Sequence, residues 1–313
     1  MKNYDVNTRQ TEVAVLIPCY NEEATIRKVV SDFRKVLPDA AIYVYDNNST
    51  DSTALCAAEA GATVVKEPRQ GKGNVVRSMF HDIEADVYLI VDGDDTYPAE
   101  YAQQLIEPVI VEGVDMVIGD RLSATYFSEN KRRFHNFGNR IVRSVINGLF
   151  KSDIHDVLTG YRAFSREFVK NFPILTDGFE IETEMTIHAL DKRCKIREIV
   201  VPYRDRPVNS VSKLNTLRDG GKVLNMIMIL FKDYKPLWFF SIISVLVLIL
   251  GVVMLVPVFA EYYQTGVVPR FPTLIAGCAV VLTAILLFLV GLILGSINNQ
   301  NRRLYELMRL HRK

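Results

Sequence analysis

Four cysteines are all this chain of 313 residues has, at positions 19, 56, 194 and 278, and no two are spaced as C-x-x-C. That excludes a disulfide framework and a cysteine-rich zinc site, and it fits a reducing compartment. An excess of charge of either sign is missing as well. The 37 basic and 36 acidic side chains leave a net charge of +1, so bulk electrostatics do not point to nucleic acid. There is no internal repeat and no low-complexity segment. Near the start, Val13-Ala14-Val15-Leu16-Ile17 is too short for a signal peptide and runs into Pro18-Cys19-Tyr20-Asn21-Glu22-Glu23. It reads as a buried strand followed by a loop.

Charge vanishes altogether from two stretches, the 23 positions 237–259 and the 26 positions 272–297. Each is long enough to cross a hydrocarbon core of about 30 Å. Lys232 and Lys235 precede the first; Arg302, Arg303, Arg309, Arg312 and Lys313 follow the second. The 12-residue connection 260–271 holds one Arg and one Glu. By the positive-inside rule both outer ends are cytoplasmic. Trp238, Tyr262 and Tyr263 are placed for the membrane interfaces. Residues 217–231 mix Arg218, Lys222 and Asn225 with apolar side chains and read either as a helix packed on the soluble domain or, as their place before the first span favours, as a helix lying in the interface. The expected organisation is an α/β domain over 1–215, an amphipathic juxtamembrane helix over 216–236, a two-span transmembrane hairpin over 237–297 and a basic tail over 298–313.

In the first part, strand-like runs at 13–17, 41–45, 62–66, 87–91 and 114–119 alternate with helix-like runs at 22–36, 51–60, 73–84 and 98–112. Such alternation predicts a Rossmann-like, mainly parallel sheet covered on both faces. Asn48 to Asp51 supply cap residues for the second helix, and Pro98 suits the first turn of the fourth. Residues 131–150 and 180–192 read as further helices and 195–202 as a strand.

The run ending at Val91 leads into Asp92-Gly93-Asp94. Ligands of open α/β sheets bind beyond the carboxyl ends of the strands. Two carboxylates placed there suit Mg²⁺ or Mn²⁺, which take a few carboxylates and complete their shell with water and phosphate oxygens. Asp92 and Asp94 would hold such a metal on a nucleotide diphosphate; a plain Asp-Gly turn is the competing reading. Pro18, Tyr20 and Glu22 follow the first strand and Asp46-Asn47 end the second, at the same edge. Asp46 could accept a hydrogen bond from a nucleobase imino group, with backbone around Pro18 framing the base. Gln70-Gly71-Lys72-Gly73-Asn74 opens the third helix, where glycines permit close approach of a ligand and the helix N-terminus favours anions. It lacks the spacing of a Walker A loop.

Together these segments resemble family 2 glycosyltransferases of the GT-A fold. The pattern is Pro18-x-Tyr20-Asn21-Glu22, Asp46-Asn47-x-Ser49-x-Asp51-x-Thr53, Gly71-x-Gly73 and Asp92-x-Asp94. Asp156-x-x-x-Gly160-x-Arg162-x-Phe164 and Arg204-x-Arg206-x-x-x-Ser210-x-Ser212-Lys213 resemble blocks of the polyprenyl-phosphate glycosyltransferases, including dolichyl-phosphate mannose and glucose synthases and bacterial relatives with a two-helix tail. The resemblance covers residues 13 to about 297 and implies inverting transfer of one sugar from a nucleotide diphosphate to a polyprenyl phosphate. It implies a nucleotide site of Pro18, Tyr20, Glu22, Asp46, Asn47, Lys72 and Asp92, a metal on Asp92 and Asp94, and catalytic roles for Asp94, Asp156 and Arg121. Gly160, Arg162, Glu180 and Glu182 become sugar-site candidates. Arg132, Arg204, Arg206, Ser212 and Lys213 become candidates for the acceptor phosphate, which guanidinium forks suit. Relatives with this tail assemble into oligomers, so a homo-oligomer is compatible.

The sequence departs from the pattern in two places. Mannose synthases usually carry D-A-D-x-Q-x-P, whereas Thr96 stands here in the Gln position, leaving Asp95 or water as an extra metal ligand and turning the expectation from GDP-mannose toward UDP-glucose or a UDP-N-acetylhexosamine. The second base-site carboxylate is Asn47, which leaves Asp46 for the base. A processive polysaccharide synthase would carry Q-x-x-R-W and more spans; here Gln300 to Leu304 reads Q-x-x-R-L after the second apolar stretch. A catalytically inactive lipid-binding protein is the alternative from another class. The expected location is the cytoplasmic face of a bacterial or archaeal cell membrane.

Overall fold

The computed structural model describes residues 11–123, 133–178, 180–204, 228–229 and 231–311. The chain forms two compact units, Met1–Gly220 and Gly221–Lys313.

The first unit is built on a seven-stranded sheet. Its strands are β1 (Val13–Cys19), β2 (Ala41–Asp46), β3 (Thr63–Lys66), β4 (Val87–Ile90), β5 (Met116–Asp120), β6 (Arg162–Ser165) and β7 (Ile196–Val200), in the order β3-β2-β1-β4-β6-β5-β7. All neighbours are parallel except β6, which runs antiparallel to both β4 and β5. The strands alternate between two cores, as the two-residue period of a strand requires. Val15, Ile17, Leu89, Val91 and Val117 join the side chains of α1 (Ile26–Val36) and α4 (Ala102–Glu112). On the opposite face Tyr88 and Phe164 meet Phe80 of α3 (Lys72–Asp82), and Phe164 stacks on Phe168 of α6 (Arg166–Asn171). Among the described residues the remaining helices of this unit are α2 (Thr53–Glu59), α5 (Arg133–Phe150) and α7 (Ile181–Asp191).

Two local expectations change. Ser52 takes the cap position of α2, and the capping bond comes from Asp51, whose Oδ1 accepts Thr53 N at 3.0 Å. Pro98 opens a 3₁₀ turn, Ala99–Tyr101, and α4 starts only at Ala102.

The second unit contains α8 (Pro236–Thr265) and α9 (Phe271–His311). Both are long and apolar enough to cross a membrane, and only 17% of the most apolar window of each is buried. The core helix of a soluble protein would be mostly covered. The first helix runs six residues beyond the uncharged stretch and ends at Gly266, whose left-handed φ of 69° lets its N–H bond Tyr262 O at 2.8 Å. The connection shortens from the expected 12 residues to residues 266–270. Ser244 Oγ donates to Ala284 O across the pair at 2.7 Å. A Cβ on Gly277 would lie 2.6 Å from Leu255 Cδ2, so the small residue marks a close approach of the two helices. Most of the interfacial segment expected at 217–231 lies outside the described residues.

Candidate active site

Register places the chemistry. Cys19 pairs with Asp46 and Asp46 with Lys66, so the loops after β1, β2 and β3 leave the sheet side by side. The first two loops are tied together: Asn21 N donates to Ser49 Oγ at 2.9 Å, Thr50 N to Asn21 Oδ1 at 2.8 Å, and Glu22 N to Thr53 Oγ1 at 2.8 Å. The loop after β4 joins them through Thr25, whose hydroxyl donates to Gly93 O at 2.7 Å. Four carboxylates converge on this edge. Burial, and then the charges of Glu22, Asp46, Asp92 and Asp94, hold the Cys19 thiol well above its ordinary range.

Asp94 is buried, and its Oδ1 accepts the Thr96 hydroxyl at 2.6 Å. Thr96 therefore orients Asp94. Asp95 is turned away to Lys28 of α1, with Nζ 2.7 Å from Oδ1, so it is no extra metal ligand here. Asp92 Oδ1 is 2.5 Å from Lys72 Nζ, and Lys72 also reaches Glu182 Oε1 at 2.5 Å. Burial pulls the Lys72 ammonium down, but Asp92 and Glu182 outweigh it and the net shift is upward. Burial likewise raises the Glu182 carboxyl, with Lys72 opposing and Asp92 adding to the rise. The backbone of Gly160 closes the other side of Asp92: a Cβ there would lie 2.4 Å from Oδ2.

Arg121, at the end of β5, and Asp156 form a second centre. Nε donates to Oδ2 at 2.7 Å and Nη2 to Oδ1 at 3.1 Å, and Asp156 is fully buried. Arg121 lies between two rings, 6.0 Å from the Tyr97 centroid and 5.7 Å from that of Tyr203. Tyr97, which sequence reasoning passed over, also accepts Gly160 N at 3.0 Å and so links the two centres.

Several expected ligand contacts are structural in this arrangement. Asn47 spends its whole amide on the loop after β3: Nδ2 donates to Glu67 O and Arg69 O, and Oδ1 accepts Gly71 N and Gln70 Nε2. No valence is left for a base. Asp46 remains, buried beside it, with Oδ1 accepting Ser49 N at 3.3 Å. Gly71 and Gly73 admit protein backbone and not a ligand. A Cβ on either would lie 2.1 Å from Asp177 O or 2.2 Å from Thr176 O, and Gly73 N donates to Asp177 O. Glu184, unnoticed in the sequence, holds that facing loop by accepting Leu175 N, Thr176 N and the Thr176 hydroxyl.

Arg162 is fully buried and touches no open site. It donates to Thr159 O, Val157 O and Thr186 Oγ1, and burial brings its pKa down to about 10. It holds the loop that carries Gly160, which corrects its sugar-site assignment. Asp156 is engaged on both oxygens by Arg121. Glu180 stands at the cap of α7 without a side-chain capping bond. Arg204 N donates to Thr96 O at 3.0 Å, and its guanidinium pairs with Glu100. Pro18, half-buried, is the penultimate residue of β1, and Tyr20 and Glu22 lie in the loop beyond the strand. Arg132, Arg206, Ser212 and Lys213 lie outside the described residues.

Among the described residues no group of three or more His, Cys, Asp or Glu could cage a metal. The donor set at the end of β4 is two carboxylates. That set fits Mg²⁺ or Mn²⁺ whose shell is completed by phosphates and water.

Comparison with known proteins points to one family. Residues 14–172 match the model of Glycosyl transferase family 2. Glycosyltransferase AglJ of Haloferax volcanii is 38% identical over 73% of this chain and 75% of its own length. A dolichyl-phosphate hexose transferase of the same organism is 31% identical over 68% of this chain and 90% of its own. Among solved structures, glucosyl-3-phosphoglycerate synthase of Mycobacterium tuberculosis in complex with Mn²⁺, UDP-glucose and phosphoglyceric acid superposes with a TM-score of 0.57 at 23% identity, over 72% of this chain and 80% of that one. At that identity the likeness is one of fold.

Proposed function

The chain belongs to glycosyl transferase family 2, and from that membership we propose that it moves one sugar, with inversion, from a nucleotide diphosphate to a polyprenyl phosphate on the cytoplasmic face of a bacterial or archaeal membrane. The observation that carries the reading is the union, in one chain, of the Asp92/Asp94 sheet edge with two helices long enough to cross a bilayer. The similarity to a dolichyl-phosphate hexose transferase supports a lipid-phosphate acceptor.

An acceptor phosphate is already an anion at neutral pH and needs little help from a base. One of its oxygens attacks the anomeric carbon, and the bond from that carbon to the diphosphate oxygen breaks. Catalysis then rests on alignment and on stabilising the leaving charge. Asp92 and Asp94 would hold a divalent cation, which supplies Lewis-acid stabilisation of the leaving diphosphate. Arg121, fixed by Asp156, offers a guanidinium to phosphate oxygens. Asp46 accepts from the base, Glu182 and Glu180 serve the sugar, and Arg132, Arg204, Arg206, Ser212 and Lys213 serve the acceptor phosphate. Thr96 in the Gln position supports UDP-glucose or a UDP-N-acetylhexosamine as donor.

The test is turnover by purified protein with undecaprenyl phosphate, Mn²⁺ and a panel of sugar nucleotides that includes GDP-mannose. A lipid-phosphate sugar formed from one uridine donor is expected, and Asp94→Ala should abolish it without loss of fold. Absence of lipid product from every donor, with folded and metal-replete protein, would favour an inactive lipid-binding protein.

A further inference from the structure

Lys72 joins three elements. It begins α3, and its ammonium bridges Asp92 at the end of β4 and Glu182 in the first turn of α7, 2.5 Å from each. The lysine side chain is 10% exposed and that of Glu182 6%, so water screens these charges little. One ammonium against two carboxylates leaves a net negative charge, to which buried Asp94 adds. Asp92 is the most open of the three bridged groups, its side chain 28% exposed. Gly160 packs against the carboxylate on the side of Oδ2, and Lys72 takes Oδ1. A divalent cation that uses Asp92 must therefore compete with the lysine already there.

Resting on the reading of Asp92 as a metal ligand, we propose that Lys72 is the resident counter-cation of the diphosphate site: it holds Asp92 and Glu182 together in the metal-free protein and surrenders Asp92 when metal and donor arrive. Glu182 keeps the lysine tethered through the exchange. The donor diphosphate offers the released ammonium new anionic oxygens, so metal and nucleotide should bind with positive coupling, which linkage makes reciprocal. The metal-free protein then needs no bound cation to keep its carboxylates folded side by side.

The experiment measures Mn²⁺ binding to the full chain in detergent by the electron spin resonance of free Mn²⁺, with and without UDP. A cation near a carboxylate changes its affinity for a competing cation by about tenfold or more. Lys72→Met should accordingly bind Mn²⁺ alone about tenfold more tightly than wild type, with a smaller further gain from UDP, while Lys72→Arg should stay close to wild type. Mn²⁺ affinity unchanged or weakened in Lys72→Met overturns the proposal, as does a Lys72→Arg variant that behaves like Lys72→Met. No Mn²⁺ bound by wild type even with UDP overturns the metal reading of Asp92 and this proposal with it; binding that UDP enhances in wild type, with no gain in Lys72→Met, overturns this proposal alone. Should Lys72→Met not fold, acylation of Lys72 in wild type, read by peptide mass spectrometry, should rise on saturation with Mn²⁺ alone, and unchanged labelling overturns it.

Discussion

Gly160 lies so close to Asp92 that a Cβ at position 160 would sit 2.4 Å from Oδ2 of the carboxylate. The loop carrying this glycine is braced by Arg162 through Thr159 O and by Tyr97 through Gly160 N. The glycine is thus a wall of the candidate metal site, required by space and not by backbone conformation.

Gly160→Ala should displace Asp92, since the new Cβ would lie within 2.4 Å of Oδ2 and the loop that carries it is braced. A shift of about 1 Å at such a site costs on the order of a hundredfold in turnover. Initial rates of sugar transfer, beside an unchanged circular dichroism spectrum, check it. Wild-type rates in Gly160→Ala would remove Asp92 from the reacting centre.

Arg121 and Asp156 should behave as one unit. Asp156→Ala leaves a guanidinium in a buried position without its carboxylate, and such a break destabilises by about 3–5 kcal/mol. Denaturant midpoints measure this directly. For turnover, the double variant should be no slower than Arg121→Ala alone, as expected of groups that act together. Multiplying losses would give Asp156 a role of its own at the substrate.

Arg162→Met removes donors from two backbone carbonyls and a threonine hydroxyl inside the core. Buried acceptors left unpaired cost about 1–3 kcal/mol each. The unfolding midpoint should fall while the donor KM of the folded fraction stays put. A raised donor KM at an unchanged midpoint would return Arg162 to the sugar site.

Glu67 links stability to pH. Hydrogen bonds from Arg69, opposed by burial and reinforced by Ser78, bring its carboxyl down to about 2. A depressed carboxyl contributes stability that is fully present above its unfolded value, near 4.5, and is lost as pH falls through about 2. Glu67→Gln should flatten the acid limb of unfolding across that window. The loop after β3 is what it secures, so a limb identical to wild type would mean that this loop opens before the domain unfolds.

Much of the fold is readable without coordinates. Val13–Cys19, Ala41–Asp46 and Val87–Ile90 announce themselves as short apolar runs between amphipathic ones. β6 does not. It has four residues and starts with an arginine, whose charge finds acceptors inside the fold at Thr159 O, Val157 O and Thr186 Oγ1. The glycines before α3 show a similar limit. Both ligand and backbone approach require a residue without Cβ, and nothing in Gly71-x-Gly73 tells Asp177 O from a phosphate oxygen.

Hydrophobic periodicity is a local property. It was enough to set the parallel core, the two long apolar helices and the arrival of Asp46, Asp92 and Asp94 at strand ends. Polar partnership is not local. Lys72 meets Glu182 across 110 positions and Arg121 meets Asp156 across 35. A buried donor or acceptor takes whichever partner the packed elements bring within reach. For that reason only the tertiary structure could decide that Asn47 and Arg162 are braces, that Asp156 belongs to Arg121, and that Asp92 already has a cation beside it.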